Sequence, residues 1–145
     1  MHELTIKNHR GCANLKYYNL NDTAKHIKNF SYELLLLDES LLEFHPKIIN
    51  KFSFIKEKIF LNAGENTKTL EGVFSLLKKI DDLKIYPINN VLLIGGASLQ
   101  DTVATALSLL KRGTNWSYIP TTLLSQADSC IGSKTSIYSE NSKNS

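Results

Sequence analysis

Two runs of large aliphatic residues restrict the architectures open to this chain: ELLLL at 33–37, which is stopped by Asp38, and NNVLLIGGAS at 89–98, which runs into two glycines. A strand with no polar residue on either face is covered on both sides, as in a parallel sheet packed between helices. Further strands are predicted at 57–64 and 116–120, and helix-like segments separate them. The alternation predicts an α/β fold with a Rossmann-like, mostly parallel sheet and flanking helices.

The clearest amphipathic helix of the chain is predicted over 66–83. Its predicted apolar face consists of Leu70, Val73, Phe74, Leu77 and Ile80. A helix is also predicted over 39–52, where Pro46 should disturb it because proline lacks the backbone N–H. Further helices are predicted over 99–113, closed by Arg112 and Gly113, and over 121–131, after the last strand.

The N-terminal stretch, MHELTIKNHRG, lacks the apolar core of a secretory signal. A cytoplasmic protein with reduced cysteines is therefore expected. Short strands are predicted at LTIK and at LKYYNL, residues 15–20, around a turn at Gly11, followed by a helix that Asn21 or Asp22 caps. The longest apolar runs are broken by acids and are too short to cross a bilayer, so no membrane partner is expected.

The composition is that of an ordinary globular protein, and the length of 145 residues suits one domain over 1–145 or one half of a larger enzyme. The net charge of +3 is small and the lysines are scattered, so nucleic acid is not an expected partner. The four histidines stand apart from one another, and no metal ligands are assigned to this chain.

Polar residues follow three of the predicted strands, in LLLLDES, LIGGASLQD and IPTTLLSQADSCIGSKT. Ligands of open α/β sheets bind beyond the carboxyl ends of the strands, where helix N termini also point. An acid such as Asp38 can accept hydrogen bonds from a ribose. Gly95 and Gly96 leave backbone amides open to a diphosphate, although the spacing is not the G-x-G-x-x-G fingerprint.

Each of these features also has a purely structural interpretation. Asp38 could cap the next helix, and the two glycines could form a turn that binds nothing. Asp128 and Lys134 could form a surface ion pair worth less than about 1 kcal/mol. Glu65 and Thr67 could cap the helix that follows AGENTKT. The residues alone leave these alternatives open.

The order of the motifs is more specific than any single one. The series DES, AGENTK, IGGASLQD, KRG, IPTTLLSQADSCIGSKT and KN resembles the 3-dehydroquinate synthase family of sugar-phosphate cyclases along essentially the whole chain. The resemblance implies an N-terminal NAD-binding α/β domain in a homodimeric enzyme. It also implies a C-terminal helical domain, absent here, that holds zinc or cobalt.

The resemblance further implies roles for particular residues. Residues expected at the NAD site are Asp38, Glu39, Ser40, Glu65, Asn66, Thr67, Lys68, Gly95, Gly96, Ala97, Ser98, Asp101, Thr121, Thr122 and Lys143. Residues expected to bind the sugar phosphate are Arg112, Asp128, Lys134 and Asn144. The arginine would reach the phosphate of the neighbouring subunit. No catalytic residue or metal ligand is assigned to this chain.

The implied reaction is that of the shikimate pathway, in which a heptulosonate phosphate loses phosphate and closes into a ring. Since the metal ligands lie beyond the KN motif in the family, this chain by itself is expected to be inactive. Ala97, Gln100 and Ser133 stand where the family commonly has glycine, which puts the substrate in question. The alternatives are a paralogous cyclase acting on another sugar phosphate, such as sedoheptulose 7-phosphate, and a non-catalytic nucleotide-binding remnant.

Overall fold

The computed structural model describes residues 2–8, 11–17, 20–110, 114–132 and 134–138, with side chains from residue 22 onward. The chain forms two compact units, Met1–Ser31 and Tyr32–Ser145. The candidate site lies in the second unit.

The first unit contains a hairpin and a helix. Strands β1 (His2–Asn8) and β2 (Gly11–Tyr17) pair antiparallel, with Asn8 opposite Gly11. The strand predicted at LTIK therefore exists, whereas the second strand begins at Gly11, four residues before its predicted start at 15. Helix α1 (Leu20–Ile27) begins before both predicted capping residues, so Asn21 and Asp22 lie within its first turn. An acid in that turn is still favourable, because it faces the positive end of the helix dipole.

The second unit is built on a four-stranded sheet. Its strands are β3 (Leu34–Asp38), β4 (Glu57–Leu61), β5 (Asn90–Gly95) and β6 (Asn115–Pro120), all parallel and in the order β4-β3-β5-β6. The two aliphatic runs form the central pair, β3 and β5, which is buried along almost its whole length. The predicted Rossmann-like parallel sheet is confirmed.

The strand order creates a switch point between β3 and β5. From β3 the chain moves outward to β4, and it then returns across the sheet to place β5 on the other side of β3. Connections on either side of such a point diverge, and a crevice opens beyond the carboxyl ends of the two strands. Asp38 and Gly95 are the residues at those ends.

The connecting segments are mostly helical. Helices α2 (Leu41–Phe44) and α3 (Ile48–Lys51) replace the single helix predicted over 39–52, and the break falls around Pro46, as the missing proline N–H requires. A 3-10 turn at Glu65–Thr67 leads into α4 (Leu70–Asp82). Helix α5 (Ala97–Leu110) follows β5, and a π-helical turn at Ser125–Ser129 follows β6.

The prediction of which face of α4 is buried was wrong in part. Val73 and Ile80 are buried in the core as expected, together with Leu76, but Leu70 and Phe74 are 52% and 64% exposed. At 3.6 residues per turn, the stripe formed by the three buried residues lies roughly a quarter turn or more away from those two side chains. This stripe packs α4 in the same hydrophobic cluster as α5 and the central strands.

Candidate functional site

The carboxyl ends of β3, β5 and β6 meet at Gly95. A Cβ atom on Gly95 would lie 3.4 Å from Cβ of Asp38 and 2.7 Å from Cδ2 of Leu99. The carbonyl oxygen of Gly95 accepts hydrogen bonds from the Thr121 N–H, at 2.9 Å, and from the Tyr118 hydroxyl, at 3.1 Å. A side chain at residue 95 would require Leu99 to shift, and the Gly95 backbone is held from the β6 side.

Asp38 is buried, and hydrogen bonds from Ser40 orient its carboxylate. Its Oδ1 accepts hydrogen bonds from the Ser40 N–H, at 3.0 Å, and from the Ser40 hydroxyl, at 2.7 Å. These bonds brace the turn before α2, but Asp38 does not cap that helix as the structural interpretation proposed: Ser40 is the N-cap and makes no side-chain capping bond. No hydrogen bond from the described residues reaches Oδ2, so the second oxygen can accept from a ligand.

Gly96 lies against Thr122. A Cβ atom on Gly96 would lie 3.2 Å from Cγ2 of Thr122, which is tighter than an ordinary contact. Thr122 is itself fixed by the fully buried Ser125: the Ser125 hydroxyl donates to the Thr122 carbonyl at 2.8 Å, and the Ser125 N–H donates to the Thr122 hydroxyl oxygen at 3.2 Å. The glycine backbone therefore faces a threonine that cannot easily move away.

Helix α5 begins directly after these glycines, with the half-buried Ala97 and Ser98 in its first turn. The first N–H groups of a helix have no acceptor within the helix, and they carry the positive end of its dipole. The combination of a glycine backbone and a 14-residue helix N terminus is suited to an anion such as a diphosphate.

The strongest polar contact of the site is an ion pair. The Lys68 ammonium lies 2.7 Å from Oδ2 of Asp101, and the two side chains are only 9% and 15% exposed. Lys68 follows the 3-10 turn and Asp101 lies in the second turn of α5. The sequence suggested both residues for the site but gave no indication that they pair.

Helix α4 is capped by a threonine that was not predicted from the sequence. Thr69 is the N-cap, and its hydroxyl oxygen accepts from the Gly72 N–H at 3.1 Å. Thr67 instead donates its hydroxyl proton to the Gly64 carbonyl at 2.7 Å, and Glu65 accepts a hydrogen bond from the Tyr138 hydroxyl. The alternative that Glu65 and Thr67 cap α4 was therefore wrong. Asn66 and Glu39 are exposed beside these residues.

The segment after β6 is not the α-helix predicted over 121–131. The Cys130 N–H donates to the Ser125 carbonyl at 3.0 Å, five residues back, which is the π-helical pattern. Thr121 precedes the helical segment, so it does not share a helix face with Asp128 as an α-helix would require. Asp128 and Lys134 are both exposed, and the described residues show no ion pair between them.

Several contributors were missed by the sequence analysis. Gln100 is 4% exposed, and its Nε2 donates to the Ser129 carbonyl at 2.8 Å, which joins α5 to the π-helical turn. Burial raises the pKa of Tyr118 to about 12, although hydrogen bonds with Ser125 and Ser129 act in the opposite direction. Ser136 and Tyr138 contact the ion pair and its neighbours. Only their position after the GSK motif could have suggested them.

Three residues expected at the site, Arg112, Lys143 and Asn144, lie outside the described residues. Within the part of the chain that the structure describes, no three metal-binding side chains come together. Among the same residues, no helix has both the length and the apolar character needed to span a membrane.

Comparison with known proteins identifies the family. Residues 58–145 match the family model described as 3-dehydroquinate synthase N-terminal. The chain belongs to the 3-dehydroquinate synthase family. It is 31% identical over 137 residues to the 3-dehydroquinate synthase of Ruminiclostridium cellulolyticum, covering 92% of this chain and 38% of that protein. It is 33% identical to the 3-dehydroquinate synthase of Alkaliphilus metalliredigens, and this match covers 83% of this chain and 35% of that protein.

Solved cyclases share the fold of this family member. The structure of 2-epi-5-epi-valiolone synthase from Streptomyces hygroscopicus subsp. jinggangensis 5008, with NAD+ and Zn2+ bound, is 28% identical with a TM-score of 0.66, covering 77% of this chain and 32% of that one. A 2-deoxy-scyllo-inosose synthase complexed with carbaglucose-6-phosphate, NAD+ and Co2+ superposes with a TM-score of 0.79 at 20% identity, covering 99% and 41%. The chain thus spans between 32% and 41% of the length of these four relatives.

Proposed function

We propose that this chain is the NAD-binding domain, residues 1–145, of a cytoplasmic sugar-phosphate cyclase of the 3-dehydroquinate synthase type. The observation that carries the proposal is the backbone of Gly95 and Gly96, which lies between the side chains of Asp38 and Thr122 at the switch point of the sheet. Family membership and the NAD+ bound in solved relatives support the same cofactor.

The residues at the switch point fit a dinucleotide. Asp38 would accept a hydrogen bond from the adenosine ribose through Oδ2, beside Glu39 and Ser40. The amides around Gly95, Gly96, Ala97 and Ser98 would hold the diphosphate at the N terminus of α5, where the two glycines place no side chain over the backbone. Glu65 to Lys68, Asp101, Thr121 and Thr122 would complete the pocket wall, with Lys143 beyond the described residues. When bound, NAD supplies reversible hydride acceptance.

The sugar phosphate would lie beyond the π-helical turn. Asp128 and Lys134 offer an exposed carboxylate and an exposed ammonium there, suited to hydroxyl groups and to an anionic group of the substrate. Asn144 would contribute to the same site. In a homodimer, the Arg112 guanidinium would reach the phosphate of the substrate that is bound to the neighbouring subunit. Zinc or cobalt finds no ligand cluster among the described residues, so no step is assigned to a metal.

A second candidate substrate is favoured by one observation. Gln100 is buried between α5 and the π-helical turn, where it occupies volume that a glycine would leave empty. A filled position so close to Asp101 and Asp128 favours a paralogous cyclase with a differently shaped substrate, such as sedoheptulose 7-phosphate. A third candidate, a nucleotide-binding remnant without activity, would bind NAD but neither sugar phosphate.

Replacement of Gly96 by valine should abolish NAD binding. A Cβ at this position would already lie 3.2 Å from Cγ2 of Thr122, so the two methyl groups of valine would press on Thr122 and displace the backbone that is proposed to hold the diphosphate. Titration calorimetry of NAD into both proteins measures the effect. Gly132→Ala is the matched control, because its new Cβ would meet only atoms at 3.5 Å and beyond. A folded wild-type protein that gives no heat with NAD would contradict the proposed function.

Replacement of Lys134 by alanine should weaken binding of the sugar phosphate about 10-fold or more, because a hydrogen bond to a charged group is lost. NAD affinity should stay within about twofold of wild type, since the exposed Lys134 side chain is not proposed to contact the cofactor. Calorimetric titrations with heptulosonate phosphate and with sedoheptulose 7-phosphate, each at saturating NAD, measure the effect and identify the substrate. Unchanged affinity for both sugars would contradict the role given to Lys134.

A further inference from the structure

The short segment 134–138 returns to the 3-10 turn that carries the predicted cofactor residues. The Tyr138 N–H donates to the Lys68 carbonyl at 2.8 Å, and Tyr138 forms an isolated parallel bridge with Thr69. The preceding residue, Ile137, is 9% exposed and belongs to the main hydrophobic cluster. The segment is therefore anchored both by its backbone and by an apolar side chain.

Two side chains of this segment contact the ion pair and its neighbour. The Lys68 ammonium lies 5.2 Å from the centroid of the Tyr138 ring, within the range of a cation–π contact. The Tyr138 hydroxyl donates to the Glu65 carboxylate, and this hydrogen bond raises the pKa of Tyr138 above its ordinary value. The Ser136 hydroxyl lies 3.5 Å from Oδ2 of Asp101, the oxygen that also receives Lys68.

Tyr138 therefore holds both ends of the 3-10 turn at once. Its hydroxyl fixes Glu65, its ring covers the ammonium of Lys68, and its backbone holds the Lys68 carbonyl. The same five-residue segment begins with Lys134, which is proposed to bind the sugar phosphate.

We propose that Tyr138 is a positioning residue that sets Glu65 and Lys68 for the nucleotide and couples nucleotide binding to sugar-phosphate binding. This inference rests on the proposed function. A nucleotide that contacts Glu65 and Lys68 stabilises the turn against which segment 134–138 lies, and so favours one placement of Lys134. Because coupling between two sites is reciprocal, the sugar phosphate tightens nucleotide binding by the same factor.

The first test is calorimetric titration of NAD into the wild-type protein and the Tyr138→Phe and Tyr138→Ala variants. Removal of the hydroxyl alone should raise the dissociation constant about 3- to 10-fold, the range of one lost hydrogen bond. Removal of the ring should raise it further, because the cation–π contact is lost as well.

Tyr86→Phe is the matched control. The Tyr86 hydroxyl also donates to a carboxylate, that of Asp81 at 2.9 Å, but this pair lies at the exposed C-terminal end of α4. Its loss should leave NAD affinity within about twofold of wild type.

The second test separates positioning from mere stability. The dissociation constant of the sugar phosphate is measured without NAD and at saturating NAD, and the ratio of the two values gives the coupling factor. The wild-type ratio should be about 5 or more, and the Tyr138→Ala ratio should fall toward 1. A loss of stability alone would leave the ratio of the folded protein unchanged.

The outcomes are distinguishable. If the folded wild-type protein does not bind NAD, the proposed function fails and this inference fails with it. If the wild-type protein binds NAD but both Tyr138 variants behave like Tyr86→Phe, the function stands and the positioning role is overturned. If Tyr138→Ala does not fold, Tyr138→Phe keeps the ring and decides the question from both the NAD affinity and the coupling factor.

Discussion

Replacing Asp101 with asparagine should lower the free energy of unfolding by about 3–5 kcal/mol, and it should weaken NAD binding at the same time. The carboxylate lies 2.7 Å from the Lys68 ammonium, and both side chains are largely withdrawn from water. In the variant, the buried ammonium loses the carboxylate that lies 2.7 Å from it. Urea denaturation followed by circular dichroism measures the change in stability.

The double variant Lys68→Met with Asp101→Leu provides the control for this result. Because it removes both charges, it should recover most of the stability that the single replacement loses. Replacement of the exposed Lys79 by methionine should change the unfolding free energy by no more than about 0.5 kcal/mol. A loss below about 1 kcal/mol in Asp101→Asn would mean that water reaches the pair and that it does not organise the site.

Replacing Gly72 with alanine should destabilise the protein by about 1–3 kcal/mol, although alanine is intrinsically the better helix former by about 1 kcal/mol. The added Cβ would overlap the carbonyl oxygen of Thr67, which is backbone and cannot rotate away. The 3-10 turn would have to shift, and Lys68 with it, so NAD affinity should fall as well. Thermal and urea unfolding, followed by calorimetry, measure both effects.

Gly132→Ala is again the matched control, because its Cβ would make only ordinary contacts at 3.5 Å and 3.9 Å. Its unfolding free energy should stay within about 0.5 kcal/mol of wild type or rise slightly, because alanine restricts the unfolded chain. A Gly72→Ala protein as stable as wild type would show that α4 can move away from the turn without cost.

The sheet could be predicted from the sequence because its signal is local. The aliphatic runs that form β3 and β5 predict strands buried on both faces. The two glycines at the end of β5 predict a turn into a helix. The exposure of Leu70 and Phe74 could not be predicted from the sequence pattern. An apolar stripe on a helix can be drawn through several overlapping sets of residues, and only packing selects the set that is buried.

The candidate site was predictable to a similar extent. Asp38, Gly95, Gly96 and Thr122 stand at strand ends, and parallel strands bring such residues to one edge. The pairing of Lys68 with Asp101 joins a loop to a helix, and no spacing rule relates residues that tertiary structure brings together. The π-helical turn could not be predicted from the sequence either. Ser125, at its start, is buried and bonded to Thr122, and such packing is set by the tertiary structure.

The central pairing of the sheet has a consequence for how the protein assembles. Where β5 begins beside β3, the Asn90 N–H donates to the Glu33 carboxylate, which lies 57 positions earlier in the chain. Closing a loop of that length costs conformational entropy before any contact repays it, and such long-range pairing slows folding. Since the crevice lies between these two strands, a nascent chain that has not yet reached β5 cannot form it.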